Sequence, residues 1–378
     1  MYSSITNSKA IISDLNFKQV NLNKLPLLLR SMDSLSQIVL GAAVGELLLG
    51  KKLGNKAQLL GAIGGTIPDL DVLLNPLFSD EITKLQIHRG YSHAIVIHLL
   101  LSFPLAKWCH AKWKDLLSFR RCYIFWASVL ITHALLDCCT TYGTQLLLPF
   151  TDYLVGFNNI SVVDPLWTIP FLLLMLVPLF LHRENANRIR WAAAACSYAG
   201  LYMLLTFYHK YTVHCHFERQ LKASSISYHT LKTTPTMFNN VLWSSIAVSQ
   251  DSLYFGEYSL LQEDPIVEWV AYPIHRDLIE NHPDQRAMKA LIWFGQGAYL
   301  ATPYNDGIDF FTAKWGRSDF TQTEPHKAFV FHWRIEPCED GWCANQIMPE
   351  WTKEDFNLAF GTLWSRILDK PKAVSQMQ

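Results

Sequence analysis

Between Leu166 and Leu181 the chain reads LWTIPFLLLMLVPLFL, and between Trp191 and Tyr208 it reads WAAAACSYAGLYMLLTFY. Neither stretch holds a charged residue. Runs of this kind approach the ~20 mostly apolar residues a helix needs to cross a bilayer. Four earlier runs extend the pattern. Ile38–Leu49 carries only Glu46, Ala57–Leu77 is interrupted by Asp69 and Asp71, and Ala94–Ala106 and Cys122–Leu136 follow. Several of these are short for a span unless their polar ends are counted, so buried helices of a soluble bundle are the competing reading. The expectation taken forward is a mainly α fold: a polytopic membrane helical bundle over 32–209, an N-terminal extension over 1–31, and a C-terminal mixed or β-rich extramembrane domain over 210–378. Nothing in 1–30 reads as a secretory signal.

Composition agrees with a membrane part joined to a polar one. Half of the 378 residues are hydrophobic and 17% are charged, against roughly 25% in soluble domains. Basic and acidic residues balance at 32 each, which leaves no surplus for nucleic-acid binding. The last third alternates apolar and polar residues at Leu291–Leu300 and Ala328–Ile335, as strands do, and His214 and His216 flanking Cys215 read the same way. Cys338 and Cys343 are spaced to close a small disulfide loop in an oxidising compartment.

Basic residues fall in three connecting loops: Lys51, Lys52 and Lys56; Lys107, Lys112, Lys114, Arg120 and Arg121; Arg183, Arg188 and Arg190. If all six runs cross, these loops alternate and stay cytoplasmic, which puts 75–92 and 138–165 on the outer side.

Ionisable residues at the ends of membrane helices are functional candidates. Asp69 and Asp71 follow Pro68 and the glycine-rich Gly61–Gly65, and two carboxylates two apart can chelate a cation. His88-Arg-Gly-Tyr-Ser-His93 offers two imidazoles that converge if Gly90 turns the chain, with Arg89 suited to a phosphate or carboxylate. His133 and Asp137 are four apart and share a helix face. Imidazole and carboxylate together suit zinc or a similar divalent ion. Asp33 heads the first run. Each group has a plain structural alternative: a helix cap for Asp33, Asp69 and Asp71, a solvated loop for His88 and His93, a buried pair for His133 and Asp137. Together, all of them fall on the predicted outer side. His98, mid-run, reads as a core residue, and Asp164 reads as a helix cap.

The order of these motifs, continued by Tyr142-Gly-Thr-Gln145, resembles the bacterial membrane-bound metal-dependent hydrolases described as LexA-regulated, over about 32–210. The resemblance implies an inner-membrane protein with divalent-metal hydrolase chemistry. It implies the ligands Asp69, Asp71, His88, His93, His133 and Asp137. General acid–base chemistry, apart from the resemblance, lets Asp69 or Asp137 serve as base rather than ligand, with Arg89 binding an anion. The family usually has His where this chain has Gln37. The expected partners are the lipid bilayer and, because a site at the interface beside Arg89 meets head groups first, a lipid or phosphoester substrate. The competing function is a metal-binding membrane protein or transporter that hydrolyses nothing.

Overall fold

The computed structural model describes residues 25–317, 324–339, 341–348 and 352–368, with side chains described from Ser34 onward apart from that of residue 353. Most of the expected N-terminal extension, and the Asp33 side chain, lie outside them.

The first helix, α1 (Leu25–Leu53), and α2 (Asn55–Thr66) form an antiparallel pair. Their glycines face one another at the small-xxx-small spacing that lets helix backbones touch. A Cβ on Gly41 would lie 2.1 Å from the Gly61 carbonyl oxygen, and one on Gly65 would lie 2.4 Å from that of Gln37. Pro68 ends the regular helix, and the chain continues as a 3-10 segment, Pro68–Leu77, bent 43° from α2. The short α3 (Glu81–Ile87) is capped by Asp80, which accepts from the amides of Ile82 and Thr83. The turn through His88–His93 leads into α4 (Ile95–Lys112), and α5 (Phe119–Cys139) runs back beside α1 and α4. Asp164 caps α6 (Pro165–Leu176), and the long α7 (Asn187–Ala223) packs on α6 and α1.

The expected polytopic helical bundle is corrected here. Among the described residues two helices, Ser34–Leu53 and Phe119–Cys139, are long and apolar enough to cross a membrane, or four if each bent pair over 55–77 and 81–112 is one span. The run Leu166–Leu181 folds as α6 and a short 3-10 turn, together too short. At about 1.5 Å per residue, twelve helical residues reach only about 18 Å of a ~30 Å core. The other run begins a 37-residue helix diluted by Tyr, His, Lys and Arg. The last two of the six expected crossings are therefore lost, and the loops within 34–139 alternate only if each bent pair is one span.

The remainder is not helical-bundle either. Strands β1 (Thr230–Pro235), β2 (Leu242–Val248), β3 (Ser252–Ser259) and β4 (Val270–Pro273) form one antiparallel sheet in that order. Helices α8 (Arg276–Glu280) and α9 (Gln285–Gly295) lead to a second, β5 (Tyr299–Tyr304), β6 (Gly307–Thr312), β7 (Phe331–Cys338) and β8 (Gly341–Ile347), again antiparallel in order. Helix α10 (Pro325–Ala328) precedes β7, and α11 (Lys353–Ile367) opens on a Thr352–Asp355 capping box. Both sheets share one core with α9, through Ile246, Phe255, Leu291, Phe294, Phe310 and Trp333. That core extends to Ile82, Leu85 and Leu154, so the sheets pack against the loops at one end of the helices.

Three local readings change. Of Leu291–Leu300, the first half is the end of α9 and only Tyr299 and Leu300 are strand, because the buried Ala287, Met288, Leu291 and Phe294 recur at three and four. His214 and His216 lie in α7 rather than a strand, and the expected boundary at 209/210 falls inside that helix. Cys338 and Cys343, by contrast, are joined as the disulfide that their spacing suggests.

Candidate metal centre

Four side chains meet where the 3-10 segment, the His88–His93 turn and the C-terminal end of α5 come together. Asp69, His93, His133 and Asp137 each present one ligand atom, and these atoms all lie within 4.8 Å of one another. His133 Nε2 is 3.2 Å from His93 Nε2 and 3.4 Å from Asp69 Oδ1. His93 Nε2 is 3.0 Å from Asp137 Oδ2 and 3.4 Å from Asp69 Oδ1. His93, His133 and Asp137 are almost fully buried, whereas the Asp69 side chain is 26% exposed.

The partners behind these groups decide their protonation. His133 Nδ1 lies 2.7 Å from the Gly65 carbonyl oxygen, which can only accept, so Nδ1 carries the proton. Ser92 Oγ donates to Asp71 Oδ2 at 2.9 Å and is 2.9 Å from His93 Nδ1. With the hydroxyl proton spent on the carboxylate, His93 Nδ1 is the donor to Ser92. A neutral imidazole with its proton on Nδ1 presents a bare lone pair at Nε2. Two such lone pairs and two carboxylate oxygens therefore face one another, and the buried Asp137 Oδ2 has no hydrogen bond. Such a facing set calls for a proton or a metal ion between its members, and two imidazole nitrogens with two carboxylate oxygens are a donor set for a divalent ion. The residues fit a metal.

The same partners sort the remaining candidates. Asp71 faces away from the four: it accepts from the Arg89 amide at 2.9 Å, from Ser92 Oγ, and contacts His88 Nδ1 at 3.3 Å. It shapes the turn that delivers His93. His88 is not brought to the cluster, and its ring packs edge-on against Tyr142. Arg89 is buried, with Nε 3.3 Å from Asp137 Oδ2, one amino group 3.2 Å from Thr140 Oγ1, and its guanidinium 5.0 Å from the centre of the Tyr142 ring. The turn residue with positive φ is Arg89, at 54°, a backbone state uncommon outside glycine. Gly90 is required for space, since a Cβ there would meet the Ile87 carbonyl oxygen at 2.8 Å. Gln37 donates from Nε2 to Asp137 Oδ1 at 2.8 Å and to the His133 carbonyl at 3.2 Å. It supports a ligand, a task that an imidazole N–H at this position could also perform. His98 is buried with Nε2 on the Ser92 carbonyl, and Asp164 caps α6, both as expected.

Sequence reasoning missed the Gly65 carbonyl, Thr140 and Lys314. Lys314 follows β6, is fully buried, donates to the Tyr142 carbonyl at 2.6 Å and sits over the rings of Tyr142, Phe294 and Trp315. Burial holds its ammonium well below the usual lysine range. No spacing rule links a lysine to a loop 172 residues away.

Helices of spanning length, with a buried His–Asp constellation at one end, define a membrane protein with a possible metal site. Residues 32–213, just under half of the chain, match the family described as YdjM inner membrane protein, nearly the stretch that carries the resemblance to LexA-regulated membrane proteins. The chain is also 24% identical over 141 residues to the uncharacterized protein YfhP of Bacillus subtilis (strain 168), a match covering 35% of this chain and 42% of that relative. The chain thus spans less than half of that relative's length. No solved structure matches.

Proposed function

We propose that this chain is a metal-dependent hydrolase embedded in the bacterial inner membrane, acting on a phosphoester or lipid-linked substrate. The observation that carries this is the convergence of two imidazole Nε2 atoms and two carboxylates, fixed by Gly65, Ser92 and Gln37. A divalent ion bound there, zinc among the candidates, would polarise the scissile group and bring a coordinated water's pKa toward about 7.

The chain's own residues then divide the work. His93, His133 and Asp137 are buried and braced, so they hold. Asp69 is the one of the four that solvent reaches, so its carboxylate is placed to take a proton from the attacking water. Arg89 keeps Asp137 ionised and oriented, and adds positive charge beside a site that would receive an anion. Next to Asp69, Leu70, Leu73, Leu74 and Leu77 are exposed, which suits a substrate with a hydrocarbon portion. The basic loops at 51–56 and 107–121 lie at the opposite end of the helices, where Leu53, Ala57, Cys109 and Leu117 share a core. Basic loops stay cytoplasmic, so the site belongs at the outer face.

A second reading has an observation of its own. Three of the four ligands are closed off from solvent, as in a protein that holds or passes a metal without turnover. Purified protein loaded with zinc, manganese or cobalt and given dioleoyl phosphatidic acid separates the two. Release of phosphate by the wild type, lost in Asp69→Asn while metal is retained, supports the hydrolase. Bound metal with no release from this or other phosphoesters overturns it in favour of the second reading.

A further inference from the structure

A cavity of about 660 Å³ lies between α9 of the C-terminal part and the loops beside the metal centre, lined by Gln86, Gln145, Asp152, Arg286, Lys289 and Trp293 among others. That volume is in the range of ligand sites. The walls are tied together from both sides. Gln145 donates from its side chain to the Gln86 carbonyl at 2.7 Å and from its amide to the Arg89 carbonyl at 3.1 Å. Trp293 Nε1 donates to the Asp152 carbonyl at 2.9 Å, and Arg286 pairs with Asp80.

Three lining side chains are left uncommitted. Among the described residues, Gln86, Asp152 and Lys289 have no hydrogen-bond or ion-pair partner for their side chains. They supply a cation, an anion and an amide within one concavity. Such a set matches a ligand that carries an anionic acceptor at one point and hydrogen-bond donors at another. The rim says where the ligand comes from. The loop that contributes Gln145 and Asp152 also exposes Leu147, Tyr153 and Phe150, the last 82% exposed, and exposed aromatic and aliphatic side chains at a membrane protein's loops mark the lipid interface.

We propose that this cavity binds the headgroup of a membrane phospholipid whose distal end carries hydrogen-bond donors, with Lys289 and Arg286 on the phosphodiester and Asp152 on the distal hydroxyls or ammonium. The site is separate from the four metal-centre residues and does not rest on the hydrolase reading.

Native mass spectrometry of the full-length protein, transferred from nanodiscs of defined lipid, tests this. Retention of phosphatidylethanolamine and phosphatidylglycerol over phosphatidylcholine is expected, since the last has no distal donor. Lys289→Glu and Asp152→Ala, both at exposed positions, should each lower that retention about tenfold, the effect of one charge-assisted hydrogen bond, without changing bound metal. Equal retention of all three lipids, or unchanged preference in both variants, overturns the proposal. So does binding of free glycerol 3-phosphate as tight as that of the lipids, which would make the ligand a soluble ester. Metal content, read in the same spectra, reports on the metal centre separately, and phosphate release alone tests the hydrolase.

Discussion

Helix α1 carries two buried polar clusters nine residues apart, and they are built on opposite principles. At Glu46 every demand is met. Arg188 donates Nε and a terminal nitrogen to the carboxylate at 2.8 and 2.7 Å, and Gln58 adds a third donor at 3.0 Å. The rest of the guanidinium is taken up by Asn55 and the carbonyls of Pro178 and Leu181. At Gln37 the reverse holds. Gln37 and Arg89 reach Asp137 from behind, and in front the imidazole nitrogens and carboxylate oxygens are left facing one another. A saturated cluster closes a fold; a cluster short of positive charge asks for a ligand. Burial alone, which is similar in the two, would not distinguish them.

The comparison breaks or sharpens under substitution. The largest effect is expected for His133→Ala and Asp137→Ala, which remove one ligand each: bound metal, measured by plasma emission on purified protein, should fall to background. Retained metal in both would place the ion elsewhere and dissolve the contrast. Arg188→Met should leave metal binding in the folded protein alone but cost about 3–5 kcal/mol by stranding Glu46, seen as a lower denaturation midpoint. Asp71→Asn is expected to lie between. It loosens the His88–His93 turn without deleting a ligand, so chelator competition should show about 10- to 100-fold weaker metal binding. An outcome as severe as that of His133→Ala would make Asp71 a ligand after all. Gln37→His should change affinity least, because an imidazole N–H can replace the amide donor to Asp137.

The smallest effect is one of pH, in the sheet region. Burial, with Lys210 nearby, brings Lys232 down to about 8, below the roughly 10.4 of an unfolded lysine. Between those values the unfolded chain holds a proton that the folded one has released, so stability rises as pH climbs from about 8 to about 10.4. Lys232→Met should flatten that slope in denaturation series.

Part of this site is legible in the sequence and part is not. His133 and Asp137 were legible because a spacing of four means one helix face, and His93 because its turn announces itself. Asp69 and Asp71 were not separable: only the 3-10 segment aims one at the imidazoles and the other at the turn. His88 looked equivalent to His93 until Tyr142 and Asp71 took up its ring. The pairing of Glu46 with Arg188 spans 142 residues, beyond any local pattern. Apolar runs overstated the crossings because hydropathy does not show where Pro165 starts a helix or how soon it ends. The two sheets were foreseen as strand-like texture, but their order depends on long-range pairing that alternation does not encode.

The glycine contact between α1 and α2 has a mechanical consequence. Side chains that set the gap between helices can yield by changing rotamer, so such gaps are springs. Here backbone rests on backbone, at Gly41 against Gly61 and Gly65 against Gln37, and that gap is a hard stop. Gly65 supplies the carbonyl that sets the His133 proton, and Gln37 steadies Asp137. The bite of the metal centre is thus machined by two helices pressed to contact, and a single methyl group in the seam, touching no ligand, would put it out of gauge.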